Sequence, residues 1–272
     1  MTTDGKSEFV HNSAADGRQD VLYRSAEDIA TITLNRPRRL NAVTPGLVDG
    51  VCAGLDRAIA EDVAAAVLTG AGRAFCSGHD LRQEQQAITE GQDRRRVQRL
   101  QDVTRKIRQA PFPVIAAVHG YALGAGCEFA MCCDLIVAST DAIFGFPEVS
   151  VGLSVTGGIS HLLPLTVGLP KAKELILLGD QFSAREALRL GLINRLAEPG
   201  HEVEEATRLA EALSRQPRSA LARAKFALDH GAETSLEISQ QIEISDALAL
   251  HNTPDAELAA DAFRSRANPG RG

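Results

Sequence analysis

Apolar residues recur along the chain with two periods, and the switches between them outline the elements. Ile29–Leu34 alternates in the two-residue rhythm of a strand and stops at Asn35-Arg36-Pro37. From Thr44 the period lengthens to that of a helix. Thr44 suits the N-cap, Pro45 the first helical position, and Leu47, Val51, Leu55, Ala58 and Ile59 share one face. Val63–Leu68 is wholly apolar and ends at Thr69-Gly70, as expected of a strand covered on both faces. Leu81–Gln109 is polar and rich in arginine, with a helical rhythm. Pro113–Val118 is a second buried strand, followed by a glycine-rich turn, a helix over 127–133 and a third strand over 134–138. Ala142–Phe146 is extended and stops at Pro147. Ser183 and Glu186, three positions apart, predict a capping box at the start of a further helix. A short strand is expected over 194–196, and helical pattern dominates from Gly200 onward, divided at Pro217 and around Pro254.

Composition narrows the class without naming a function. The chain has 272 residues, 44% hydrophobic and 24% charged, which fits one large globular domain or a core with an appendage. Net charge is −6 and aromatics are 4% with no Trp, so neither a basic nucleic-acid surface nor a base-stacking platform is expected. The Arg94-Arg95-Arg96 cluster with Arg99, Arg105, Lys106 and Arg108 suits phosphate binding in isolation. The interleaved Glu84, Glu90, Asp93 and Asp102 favour a solvated helix face. Residues 1–20 carry acidic groups and no apolar block, so they are expected to form a flexible tail, neither a secretory signal nor a transit peptide. His119, Glu128 and Asp134 interrupt the most apolar stretch, 113–138, which argues against a membrane span. The five cysteines are odd in number and lack C-x-x-C or zinc spacing; reduced, buried thiols of a cytoplasmic protein are expected.

Chemistry concentrates around Gly124-Ala-Gly-Cys-Glu128. Small residues let the backbone turn sharply from a buried strand into a helix, whose first N–H groups have no intrahelical acceptor. Such a turn suits a phosphate or a developing oxyanion. Phe129 stands where a dinucleotide fingerprint needs its third glycine, and no Gly-Lys-Ser/Thr is present, so the oxyanion reading survives. Glu128 sits in the first helical turn among apolar neighbours, where compensation of the helix dipole is the simpler role. Glu148 comes after another apolar strand; on its own it reads as an exposed loop acid. Two carboxyls with raised pKa on one pocket would be equipped to move a proton and activate water. Twenty positions separate them, and spacing does not show that they converge.

Five blocks in order carry a resemblance. The segment Pro113–Asp134 resembles the signature of the crotonase (enoyl-CoA hydratase/isomerase) superfamily. Leu34–Ala42 and Leu68–Leu81 are similar to its earlier hallmarks, and Phe144–Glu148 and Leu178–Leu192 to its later ones. The likeness runs over roughly residues 25–265. It implies an α/β fold, a spiral of ββα units over 21–199, with a helical C-terminal region over 200–272 that packs against neighbouring subunits in a homotrimer or a hexamer of two trimers.

The resemblance also implies an acyl-CoA thioester as substrate and no metal or redox cofactor, coenzyme A being part of the substrate. By position, the backbone N–H groups of His79 and Ala125 would hold the thioester oxygen. Glu128 and Glu148 would hydrate a trans-2-enoyl-CoA to a 3-hydroxyacyl-CoA. Either Glu128 would take the proton of water and Glu148 would protonate C2, or the two would share both tasks. Arg38, Arg39, Leu40, Arg73, Ala74, Ser77, Gly78 and Arg82 match positions that contact CoA. A Δ3,Δ2-enoyl-CoA isomerase or another acyl-CoA enzyme of the superfamily is the alternative, and a non-catalytic oligomeric scaffold a more distant one. Two departures stand out. Ala125 replaces a common glycine, so its methyl is expected to restrict φ and crowd the pocket. Gly152-Leu-Ser-Val-Thr-Gly-Gly158 has Val155 for a usual proline, with the glycines displaced by one. That loop would line the acyl end.

Overall fold

The computed structural model describes residues 19–81 and 90–251 and scattered positions from 253 to 264, the side chains of 90–93 excepted. The expected tail therefore falls mostly outside the described residues. Gln19 and Asp20 are described, and their carbonyls accept from Asn35 (Nδ2 and N, at 2.9 and 2.7 Å).

Six strands form the main sheet. In spatial order they are β1 (Val21–Ala26), β2 (Ile29–Leu34), β3 (Ala65–Gly70), β4 (Val114–Val118), β6 (Leu135–Ser139) and β9 (Arg195–Ala197). Only β1 and β2 pair antiparallel. The apolar runs follow from burial on both faces. Ile32, Leu34, Leu68, Ala116 and Val118 belong to the larger core, which also takes in residues of α1 (Pro45–Ala60) and α2 (Glu90–Gln109). Ala65, Val67, Ile115 and Val137, offset by one, meet Ala206, Leu209 and Ala210 of α7 (Glu202–Ser214).

A second, smaller sheet joins β5 (Tyr121–Leu123), β7 (Ile143–Gly145) and β8 (Phe182–Ser183). Here the ββα repeat becomes visible. β4 lies in the large sheet, β5 in the small one, and α3 (Ala125–Met131) comes next; β6 and β7 repeat the step before α4 (Ile159–Val167). An earlier turn is abbreviated. After β3, Cys76 bridges Ala122 of β5 and His79 bridges Val43, both in parallel, so 76–79 acts as one more strand of the small layer. The remaining helices are α5 (Leu169–Leu178), α6 (Ala184–Arg189), α8 (Arg218–Gly231) and α9 (Leu236–Leu250).

Several expectations need correction. β1 carried no clear signal because only Val21 and Tyr23 are buried in it. The helix expected over 127–133 starts two residues earlier, with Gly124 as its N-cap. Half of the capping box forms: Ser183 Oγ accepts from Glu186 N at 3.2 Å, but the Glu186 carboxylate turns to Arg189. The Thr44 cap holds, accepting from Leu47 N at 3.2 Å. Cys76, Cys127, Cys132 and Cys133 are buried, Cys52 partly so, and all five are free thiols. No described helix is long and apolar enough to cross a membrane.

Candidate active site

The site grows from two chain segments that touch. Segment 40–43 runs parallel to 77–80: Ser77 N donates to Leu40 O, Val43 N to Gly78 O, and Asp80 N to Val43 O, at 2.8–3.1 Å. Asn41, fully buried, locks this corner. Its Oδ1 accepts from Arg36 N at 2.8 Å, and its Nδ2 faces the carbonyls of Ala71, Ala74 and Phe75 at 2.7–3.1 Å. Asn41 lay inside a matched block, yet nothing in the sequence assigned it this role. Its positive φ of 55° suits asparagine better than most side chains.

The other side of 76–79 faces β5 and α3. Gly78 O and Asp80 N both bond to Val43, the pattern of a parallel bridge in which the residue between them, His79, turns its own amide to the opposite edge. Two glycines permit the approach. A Cβ on Gly78, at φ +90°, would lie 2.8 Å from Leu123 O. A Cβ on Gly126 would lie 2.3 Å from Cys76 O. The close approach explains a glycine inside the first turn of α3, where helix propensity disfavours it. Ala125 is the first residue of α3 and is not among the described residues with positive φ. The expected restriction from its methyl therefore costs nothing, because the turn that needs freedom is made by Gly124 at φ 53°.

Both glutamates are buried, Glu128 to 2% exposure and Glu148 to 4%, which overturns the exposed-loop alternative for Glu148. Their surroundings differ. Glu128 accepts from Thr156 N at 2.6 Å through Oε1 and from the Thr156 hydroxyl through Oε2. Burial raises its pKa, and the two Thr156 bonds oppose the rise. No other residue hydrogen-bonds either carboxylate oxygen of Glu148. Burial pushes its pKa up to about 7; its own backbone N–H opposes the rise and the nearby Glu128 charge adds to it. A side chain on Gly124 would meet Glu148 Oε1 at 3.0 Å, which sets this carboxyl against the strand-to-helix turn. Glu148 lines a cavity together with Ser77, Gly78, His79, Gly124 and Ala125. Glu128 does not line it; its carboxylate is turned to Thr156. The sequence pattern contained Thr156 but gave no sign of this contact, 28 positions away from Glu128.

The residues matched to CoA contacts separate into groups. Arg38 and Arg39 lie exposed on a 3-10 turn (Pro37–Arg39), and Leu40 comes next at φ 50°. Exposed Arg73 sits beside Gly72, which packs on Pro37. Ser77 and Gly78 share the cavity with Glu148. Ala74 is fully buried, and its carbonyl is bonded to Asn41. Arg82 lies outside the described residues.

Comparison with known proteins agrees with this arrangement. The family described as enoyl-CoA hydratase/isomerase matches residues 24–269. The chain is 34% identical over 252 residues to a short-chain-enoyl-CoA hydratase of Clostridium acetobutylicum, covering 90% of this chain and 94% of that one. It is 34% identical over 251 residues to a crotonyl-CoA hydratase of Syntrophomonas wolfei, covering 90% and 95%. The crystal structure of an enoyl-CoA hydratase from Bacillus anthracis superposes with a TM-score of 0.87 at 31% identity, over 91% of this chain and 97% of that one. With the parallel sheets, the paired loops and the two buried glutamates, these likenesses establish that the chain belongs to the enoyl-CoA hydratase/isomerase family, the crotonase fold.

Proposed function

We propose that the protein is an enoyl-CoA hydratase that adds water to a trans-2-enoyl-CoA and forms a 3-hydroxyacyl-CoA. The observation that carries this reading is the unlike state of two neighbouring buried carboxyls. Thr156 donates two hydrogen bonds that favour the charged form of Glu128; no other residue donates to Glu148, which burial pushes up to about 7. Near neutral pH Glu148 therefore carries a proton part of the time, as an acid needs, while the bonds to Glu128 suit a base.

In the proposed cycle the thioester oxygen sits between the amides of His79 and Ala125. Water attacks C3 and gives its proton to Glu128, and the electron pair of the double bond moves onto the thioester as an enolate. The two amides stabilise that charge, an effect typically worth about 3 kcal/mol per donor. Glu148 then delivers its proton to C2. Transfer of a proton from Glu128 to Glu148 restores the starting state. Arg38, Arg39 and Arg73, all exposed, would meet the phosphates of CoA.

The same proposal includes an oligomer. α9 has no buried residue, although Leu236, Ile238, Ile244 and Leu248 are all more than half exposed on it. Phe226 and Leu228 of α8 add to this apolar surface. A surface of this kind is covered in a homotrimer, or in a hexamer of two trimers.

Tracking the enoyl-thioester absorbance of crotonyl-CoA tests the reading. Glu128→Gln and Glu148→Gln are each expected to lower kcat by roughly 100-fold or more while the protein stays folded and binds CoA. Full turnover by either variant, or isomerisation of a 3-enoyl-CoA without hydration, would refute it.

A further inference from the structure

A second cavity, of about 370 Å³, abuts the first. The two share His79. Its walls are unlike those of an aliphatic pocket. Val43, Val48 and Leu100 supply apolar surface, while Arg95, Arg96 and Arg99 of α2 put three basic side chains on the same lining. Arg95 and Arg99 are exposed. Arg99 pairs with Asp49 at 3.0 Å, but both side chains are at least half exposed, so water screens the pair and leaves it open to exchange. The cavity opens at Thr44 and Pro45, the N-terminal end of the 16-residue α1, where partial positive charge adds to that of the arginines.

Position separates this cluster from the cations proposed for CoA. Segments 40–43 and 77–80 run side by side, with Leu40 bonded to Ser77 at one end and Val43 to Asp80 at the other. Arg38 and Arg39 precede Leu40 at the first end. The α2 arginines gather at the second, beside Val43 and Thr44. The His79 amide, proposed to hold the thioester oxygen, lies near this second end. A substrate whose CoA phosphates meet Arg38 and Arg39 therefore leaves the α2 cluster for its acyl end.

We propose that the acyl group taken by this protein ends in a carboxylate, which the cleft of Arg95, Arg96 and Arg99 binds beyond His79. This inference deepens the hydratase reading and rests on it for the placement of the thioester. The guanidinium fork matches a carboxylate in geometry as well as charge, and the apolar wall accepts the methylenes between carboxylate and double bond.

The test compares trans-glutaconyl-CoA, which carries a terminal carboxylate, with crotonyl-CoA. The wild-type protein is expected to favour glutaconyl-CoA in kcat/KM by tenfold or more. In the Arg95→Gln/Arg99→Gln variant that ratio should fall at least tenfold. A wild-type ratio near one overturns the inference. So does a variant that weakens both substrates and free CoA alike, because the cleft would then hold a CoA phosphate. A competition titration with the saturated esters glutaryl-CoA and butyryl-CoA reads the same preference without turnover. If neither enoyl ester reacts but glutaryl-CoA binds tenfold tighter, the hydratase reading fails and the cleft assignment stands. Equal binding of the two saturated esters removes the cleft assignment whether or not the protein is active.

Discussion

Replacing Thr156 by Val probes the assignment of base and acid most directly. Valine keeps the branched shape and the backbone N–H, which donates to Glu128 Oε1 at 2.6 Å, and deletes only the hydroxyl that donates to Oε2. A hydrogen bond to a charged group contributes about 1.5–3 kcal/mol. Since the amide bond remains, a loss near 2 kcal/mol in stabilisation of the charged form is expected, which lowers kcat by about 30-fold on the acid side of the profile. KM should change little, because Thr156 touches the base and not the proposed thioester-binding amides. The pH profile supplies the discriminating readout. Burial already raises the Glu128 pKa, and the hydroxyl opposes that rise. Without it the carboxyl protonates at higher pH, so the acid limb of kcat moves upward. Thr156→Ser restores the oxygen and should return both kcat and the limb toward wild type. Hydration of crotonyl-CoA in stopped-flow across the pH range measures all three quantities. A valine variant with wild-type kcat and an unmoved acid limb would refute the view that Thr156 sets the charge state of Glu128.

Buried charge also governs stability at two places. Glu148 is raised from 4.5 to about 7 in the folded protein, so between these values the folded chain holds a proton that the unfolded chain has shed, and stability drains away as pH rises. Glu148→Gln removes that loss; its gain over wild type should grow from near zero at pH 4 to about 1–2 kcal/mol at pH 8, allowing for partial solvent screening, and thermal melts showing a constant difference would contradict it. Lys225, 8% exposed, donates to Ile107 O, Phe112 O and Asp134 Oδ2 at 2.6–3.1 Å. Lys225→Met leaves the largely buried Asp134 charge without its cation, only the Val114 amide still donating to it, and should cost about 3 kcal/mol in urea unfolding; adding Asp134→Asn should recover part of it, and a single variant as stable as wild type would show the pair to be dispensable.

Elements covered on both sides were legible in the sequence, because an unbroken apolar run such as Val63–Leu68 is at home only where neither face of a strand meets water. β1 was not, since its second half faces water and only Val21 and Tyr23 are buried in it. The glycine-rich turn was visible, but the work of its glycines was not. Gly124 turns the chain, whereas Gly126 is a helical residue kept small by Cys76 on another strand. That neighbour is set by register between distant segments, which local pattern does not encode. The same limit hid Thr156 from Glu128. The arginines of α2 are solvated, as the interleaved acids suggest, and Arg94, Arg95 and Arg99 are exposed. What local pattern does not show is that packing against α1 sets Arg95, Arg96 and Arg99 beside a cavity.

The repeat explains why so few local signals suffice to assemble a site. Each turn of the spiral leaves a strand of the small layer and enters a loop or helix at the same edge, because the parallel ladder from 76–79 through β5 to β7 keeps the carboxyl ends of those strands together. His79 lies at the end of the first of them, Ala125 just past the second and Glu148 just past the third. Gly124 N donates to Gly145 O at 2.9 Å, and Leu123 N to Cys76 O at 3.0 Å, so neighbouring turns are bonded within a few residues of the groups proposed to act. Residues 23 to 69 positions apart in the chain thus share an edge through backbone pairing alone. Chemistry can then vary through the loops and helices attached to that edge, as it does with Thr156 and the α2 arginines, without disturbing the ladder that sets the amides.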